Sequence, residues 1–189
     1  MHKFLPNSFT FLDQYESKIF ENSNTNLGIV YRNYKDSKRA KNLLKIAEAC
    51  KKRKFKLFVS NNINLAIRFK ADGIYIPSFN GISKFNNLES KNLMIIGSAH
   101  NTKQINEKIL QNCKAIFVSP IFKTAKTKKY LNIHKFNFLT NHTKSNIYAL
   151  GGISTNNMHK LKLTNARGFA AIGMFKKKTG LIKAGFFKI

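Results

Sequence analysis

The chain has 189 residues, 43% of them hydrophobic; that length fits a single domain over 1–189 that hides roughly 70% of its unfolded surface, and it argues against a wholly disordered chain. Two cysteines, Cys50 and Cys113, are too few for a disulfide scaffold or a four-thiolate zinc site, no apolar run approaches the ~18 residues of a membrane span, and Met1 to Asn7 holds no signal-peptide core, so the expectation is a cytoplasmic protein without membrane partners. Lys plus Arg is 34 against 8 Asp plus Glu, a formal net charge of +26, which draws phosphates towards the chain whatever its origin.

In chain order, short apolar runs alternate with helical stretches. Phe9–Leu12 and Gly28–Tyr31 read as strands. A helix follows over Asp36–Lys52, with Ala40, Leu43, Leu44, Ala47 and Cys50 at helical spacing. Phe55–Val59 is the third strand, Asn62–Phe69 a short helix and Gly73–Ile76 the fourth strand. Segment 78–92 reads as a loop with a short helix. Leu93–Ile96 is the fifth strand, and a helix over Thr102–Asn112 repeats Ile105, Ile109 and Leu110, with Thr102 as its cap. Ala115–Val118 is the sixth strand, and 123–145 is irregular. Ile147–Leu150 is the seventh; Ser154–Asn165 reads as a helix turning Met158, Leu161 and Leu163 inward. Gly168–Ile172 is the eighth strand, and Leu181–Phe187 a closing helix. The runs are continuous rather than alternating, as in strands covered on both faces. Eight of them with intervening helices predict an α/β fold, a (β/α)8 TIM barrel more compact than the usual ~250 residues. A doubly wound sheet would offer a Gly-rich first turn, and there is no G-x-G-x-x-G or Walker motif.

Only five of the basic residues are arginine, and the lysines spread along the whole chain. Lys, Asn, Ile and Phe share A/T-rich codons, so biased composition alone would produce this charge. Nucleic-acid binders lean on Arg and on a basic stripe. No aromatic-interleaved RNA motif is present, so nucleic acid ranks last among the partners. A phosphorylated small molecule ranks first. The sequence leaves the oligomeric state open, a homo-oligomer included.

Several strand ends carry more than generic turns. Ser60-Asn61-Asn62 leads into Ala71-Asp72-Gly73, then come Gly97-Ser98-Ala99-His100, Ser119-Pro120-Ile121-Phe122-Lys123-Thr124, Leu150-Gly151-Gly152-Ile153 and Gly168-Phe169-Ala170-Ala171-Ile172. Their order and intervals resemble the thiamine-phosphate synthase/TenI family over roughly 27–175. The resemblance implies a compact barrel acting on thiazole phosphates. Its synthase branch joins a hydroxymethylpyrimidine diphosphate to a thiazole phosphate, with Mg2+ on the departing diphosphate. Its TenI branch isomerises the thiazole ring, and that branch's acid/base histidine falls near Pro120.

Position by position, the family's Gln-x-Arg-x-Lys signature falls on Val30, Arg32 and Tyr34, so only Arg32 is kept. Its Asn-Asp pair falls on Ser60 and Asn61, and its second metal aspartate near Asn80. Both metal carboxylates therefore read as amides, and no metal ligand is assigned. Ser98 matches the serine that meets diphosphate. Thr124, Thr127 and Lys128 follow the family's Pro-Thr-x-Thr-Lys loop, with Lys123 in place of the proline and one residue inserted. Gly152 and Gly173 match the backbone phosphate cradle. The resemblance thus implies Arg32, Ser98 and Lys128 as the catalytic set.

The chemistry of these residue types agrees in part. Turns after the last two strands of such a barrel present backbone N–H groups to an anion, and Gly151, Gly152 and Gly173 let a phosphate approach closely. Asp72 precedes a strand, at the opposite barrel end, and reads as structural. Asp13, Asp36 and Glu89 are the carboxylates nearest the strand C-termini. Lys123, Lys126, Lys128 and Lys129 offer charge for a diphosphate or a plain solvated loop. His100 suits acid/base work at neutral pH or a structural hydrogen bond. Asn61, Asn80, Thr124 and Thr127 complete the expected substrate-binding set. Two alternatives stay open beside a synthase: a barrel that binds a phosphorylated ligand without turnover, and a basic nucleic-acid binder.

Overall fold

The described strands are mostly apolar on both faces because each face has something to cover it. The computed structural model describes residues 4–23, 26–34, 38–81, 88–125 and 127–176. Its strands are β1 Ser8–Leu12, β2 Leu27–Tyr31, β3 Lys56–Ser60, β4 Gly73–Ile76, β5 Met94–Ala99, β6 Ala115–Val118, β7 Ile147–Leu150 and β8 Gly168–Ala170. They pair in sequence order, all parallel, and β8 returns to β1 through Ser8 against Phe169 to close a barrel. All eight expected strands are present.

Alternate residues point inward. Phe9, Phe11, Val30, Phe58, Tyr75, Ile96, Phe117 and Tyr148 fill the interior. Phe9 meets the rings of Phe58, Phe117 and Tyr148 at centroid distances of 5.6, 5.0 and 5.4 Å, in the tilted and edge-on geometries that aromatic pairs favour. The barrel centre is a packed core, so chemistry is confined to its rims. The other strand face, with Leu12, Ile29, Tyr31, Val59, Ile74 and Val118, packs outward on the helices.

The helices are α1 Ser17–Asn22, α2 Arg39–Arg53, α3 Ile63–Arg68, α4 Thr102–Leu110 and α5 Asn132–Thr140. Short 3-10 turns occupy Leu88–Lys91, Met158–Leu163 and Met174–Lys176. Four expectations need correction. α1 is a helix where none is expected from the sequence. α5 lies inside the segment expected to be irregular. The stretch over 154–165 forms a 3-10 turn instead of an α-helix, with Leu161 inward but Leu163 67% exposed. The cap of α4 is Asn101, whose side chain accepts from the Gln104 N–H at 2.9 Å, and Thr102 is the first helical residue. Asp36, Lys126, the side chain of Glu89 and the helix expected over 181–187 lie outside the described residues.

Asp72 does the structural work expected of it. One carboxylate oxygen accepts from the Leu57 N–H at 3.0 Å and the other pairs with Lys56 at 2.8 Å, tying β3 to β4 at the barrel's amino end. Cys50 and Cys113 are free and buried, and burial pushes the Cys113 thiol up to about 12. Both are core residues, not nucleophiles. Among the described residues no helix is long and apolar enough to cross a membrane.

Candidate active site at the carboxyl mouth of the barrel

Polar side chains gather where the strands end. On the β2–β4 side, Tyr34 and Ser60 share a hydroxyl hydrogen bond of 2.6 Å. Asn61, next along, has φ +55°, a left-handed conformation that Asn adopts more easily than most residues. Its side-chain oxygen accepts from Asn80 Nδ2 at 2.5 Å. Arg32 pairs with Asp13 at 3.2 Å and lies 5.2 Å from the Phe11 ring centre. Burial raises the Tyr34 phenol pKa; its bond to Ser60 and the nearby Arg32 and Arg39 pull the other way.

Asn80 is held from behind by α4. The buried Lys108 ammonium donates to the Asn80 carbonyl at 2.7 Å and to Gln111 Oε1 at 2.9 Å, and Gln111 Nε2 donates to the same Asn80 carbonyl at 3.0 Å. Desolvation lowers the Lys108 pKa. Ser98 sits lower in the barrel, 4% exposed, and accepts from the Tyr75 hydroxyl at 2.8 Å. His100 Nδ1 lies 2.8 Å from the Ser119 carbonyl. A carbonyl only accepts, so Nδ1 carries the proton and Nε2 is left for an outside partner.

On the β6–β8 side, the loop after β6 folds over the turn after β7. Phe122 N donates to Gly151 O at 3.1 Å, and Thr127 N donates to the Thr124 hydroxyl at 3.1 Å. Gly151 and Gly152 have φ of +95° and +70°. A Cβ on Gly152 would strike the carbonyls of Lys123 and Phe122, so packing alone demands glycine there. Asn157 Nδ2 pins the turn by donating to Gly152 O at 2.8 Å. Gly173 differs: nothing lies within 4 Å of where its Cβ would stand. The β7 and β8 turns are neighbours, since Leu150 pairs with Ala170. Among the described residues no carbonyl accepts from the N–H of Gly152, Ile153, Ile172 or Gly173.

The mouth therefore brings together Arg32, Asn61 and Asn80 on one side, and Thr124, Thr127, Gly151 and Gly152 on the other, with the Gly173 turn beside β7. Lys128 is exposed and no described side chain engages it. The sequence reading missed Arg39, Tyr75 and Lys108. Arg39 Nη2 reaches the Ser60 carbonyl at 2.5 Å, a contact that no local spacing signals.

Magnesium favours charged oxygens and usually takes one or two carboxylates. At the two positions where the resemblance puts them, the amides of Asn61 and Asn80 bond each other. Among the described residues no three His, Cys, Asp or Glu side chains form a metal-holding group. This donor set does not fit the ion.

A closed parallel barrel with polar residues collected at its strand C-termini defines a (β/α)8-barrel protein. The family model described as thiamine monophosphate synthase (TMP-TENI) matches residues 23–175, and the chain belongs to that family. It is 31% identical over 130 residues to a thiamine-phosphate synthase of Prochlorococcus marinus subsp. pastoris, a match covering 67% of this chain and 37% of that protein. This chain thus spans well under half the length of that relative. It is 27% identical over 158 residues to a thiamine-phosphate synthase of Flavobacterium psychrophilum, covering 75% and 74% of the two chains. The solved thiamine phosphate pyrophosphorylase from Pyrococcus furiosus superposes with a TM-score of 0.72 at 15% identity, over 92% of this chain and 89% of that one. At that identity the likeness speaks for the fold alone.

Proposed function

We propose that this chain binds a thiazole phosphate at the β7 and β8 turns and couples it to hydroxymethylpyrimidine diphosphate. One observation carries the reading: among the described residues the N–H groups of Gly152, Ile153, Ile172 and Gly173 lack acceptors at two adjacent strand ends. Backbone donors left unpaired together are costly unless water or a ligand takes them, and a phosphate group suits such a cluster. Gly173 adds to this, because neither packing nor a left-handed φ accounts for its glycine. In the coupling, the carbon–oxygen bond to diphosphate breaks with the electron pair staying on oxygen. The thiazole nitrogen lone pair then forms the new carbon–nitrogen bond. Arg32 faces the departing anion, and Thr124 and Thr127 border the phosphate end.

A second reading, binding without turnover, is favoured by the Asn61–Asn80 bond at the metal-carboxylate positions. Two measurements separate them. Thiazole phosphate at millimolar concentration raises the melting temperature on either reading, and Gly173→Asp, which brings a carboxylate to the amides without a clash, removes the shift. No shift for the unmodified chain rules out both. Product formed from the two substrates decides for the transferase; its absence, with or without Mg2+, decides for the binder.

A further inference from the structure

The Arg39 side chain is only partly satisfied by its surroundings. It opens α2, and its guanidinium lies 5.8 and 5.7 Å from the ring centres of Tyr31 and Tyr34. Nη2 donates to the Ser60 carbonyl. Its Nε is buried and has no partner. A guanidinium carries five N–H donors in a planar fork, and among the described residues Arg39 spends one of them on the protein. Arg32, after β2, likewise spends its Nε on Asp13. Both cations stand near enough to Tyr34 to act on its phenol. An arginine kept only to pin α2 on β3 would not leave a buried donor unmatched, since such a donor is costly. The geometry around it is that of a fork awaiting an oxyanion.

We propose that the β2–β4 side of the mouth takes a diphosphate group without a metal ion, with Arg32 and Arg39 as its paired cations. The inference rests on the reading of the mouth as a phosphate site. Two features join in it. The positions where a metal would need carboxylates hold Asn61 and Asn80, which satisfy each other at 2.5 Å. Among the described residues, Glu107 lies 3.8 Å from the Cβ position of Gly81, but on α4, the helix that grips Asn80 from outside the barrel wall, and Asp13 is engaged by Arg32. Charge on the ligand is then met by two guanidiniums, that of Arg32 steadied by Asp13, beside the Tyr34 phenol.

The test is calorimetric titration of the full chain with inorganic pyrophosphate at about 0.15 M salt, where surface attraction is screened beyond about 8 Å. It is run once in EDTA and once in Mg2+. The affinities are expected to agree within about threefold. Arg39→Gln is expected to weaken binding about tenfold in EDTA, as loss of a charge-assisted hydrogen bond does. Lys51→Gln, the same charge removed from the far end of α2, leaves binding unchanged. Asn61→Asp with Asn80→Asp should abolish binding in EDTA and restore it with Mg2+, a readout that survives if the Arg39 variant fails to fold. Binding that needs Mg2+ in the unmodified chain overturns the proposal and leaves the phosphate reading standing. So does an Arg39→Gln variant equal to Lys51→Gln, or a double aspartate variant that binds in EDTA like its parent. No binding in either buffer overturns this proposal as well, while the phosphate reading stands or falls on the thiazole phosphate melting shift.

Discussion

Gly152 and Gly173 look alike in the sequence, each a glycine just past a strand, yet the structure assigns them different reasons. Gly152 has φ +70° and two carbonyls where a Cβ would go. Gly152→Ala combines a left-handed alanine, costing about 1–2 kcal/mol, with a forced shift of the β6 loop, about 1–3 kcal/mol more. Gly173→Ala meets open space, so its cost should stay within about 0.5 kcal/mol. Urea unfolding of the two variants checks this, and equal destabilisation would mean the β8 turn is packed in a way its geometry denies. The resemblance to the family singled out both glycines, Arg32, Asn61 and Asn80, because its motifs lie at or just past strand ends. The sequence hid Arg39, because that side chain is useful only through Ser60, 21 positions later, and through rings on two other segments. It also gave no sign that Asn61 and Asn80 would bond each other across 19 positions.

At the scale of elements, strands were easier to read than helices, for a physical reason. A strand inside a barrel is covered on both faces, so Ala115–Val118 or Gly73–Ile76 is apolar throughout and every residue is buried. A short outer helix needs only one or two contacts. α5 buries just Phe136 and Thr140, too few to make a stripe at helical spacing. Its first turn nonetheless carries a polar signal: the Asn132 side chain accepts from Lys135 N at 3.0 Å, although the cap residue Leu131 has no side-chain acceptor to offer. The same signal settles α4, where Asn101 and not Thr102 makes that bond. Asn101→Ala should therefore cost about 1 kcal/mol of stability and Thr102→Ala much less. Chemical denaturation of both variants measures it, and the reverse order would return the cap to Thr102.

At the scale of the whole molecule, the two kinds of cation behave differently. Four of the five arginines are placed over aromatic rings: Arg32, Arg39, Arg53 and Arg68. Among the described residues the lysines mostly face solvent, with Lys108 the buried exception. Three ion pairs join described residues, Arg32–Asp13, Lys56–Asp72 and Lys176–Glu16, and partly exposed pairs of this sort contribute little. With a net charge of +26, the larger electrostatic term is mutual repulsion among lysines, which destabilises a compact state. Salt screens that repulsion once charges are more than about 10 Å apart at 0.1 M. Raising sodium chloride from 20 to 300 mM, as rough working values on either side of that screening range, should therefore stabilise the barrel. A gain of about 1 kcal/mol would raise the melting temperature by roughly 2–4 °C for a chain of this size. A thermal scan at each concentration reads the shift directly. A falling melting temperature would mean that the few carboxylates do more than their number suggests, and that the lysine excess is arranged around them rather than spread by composition.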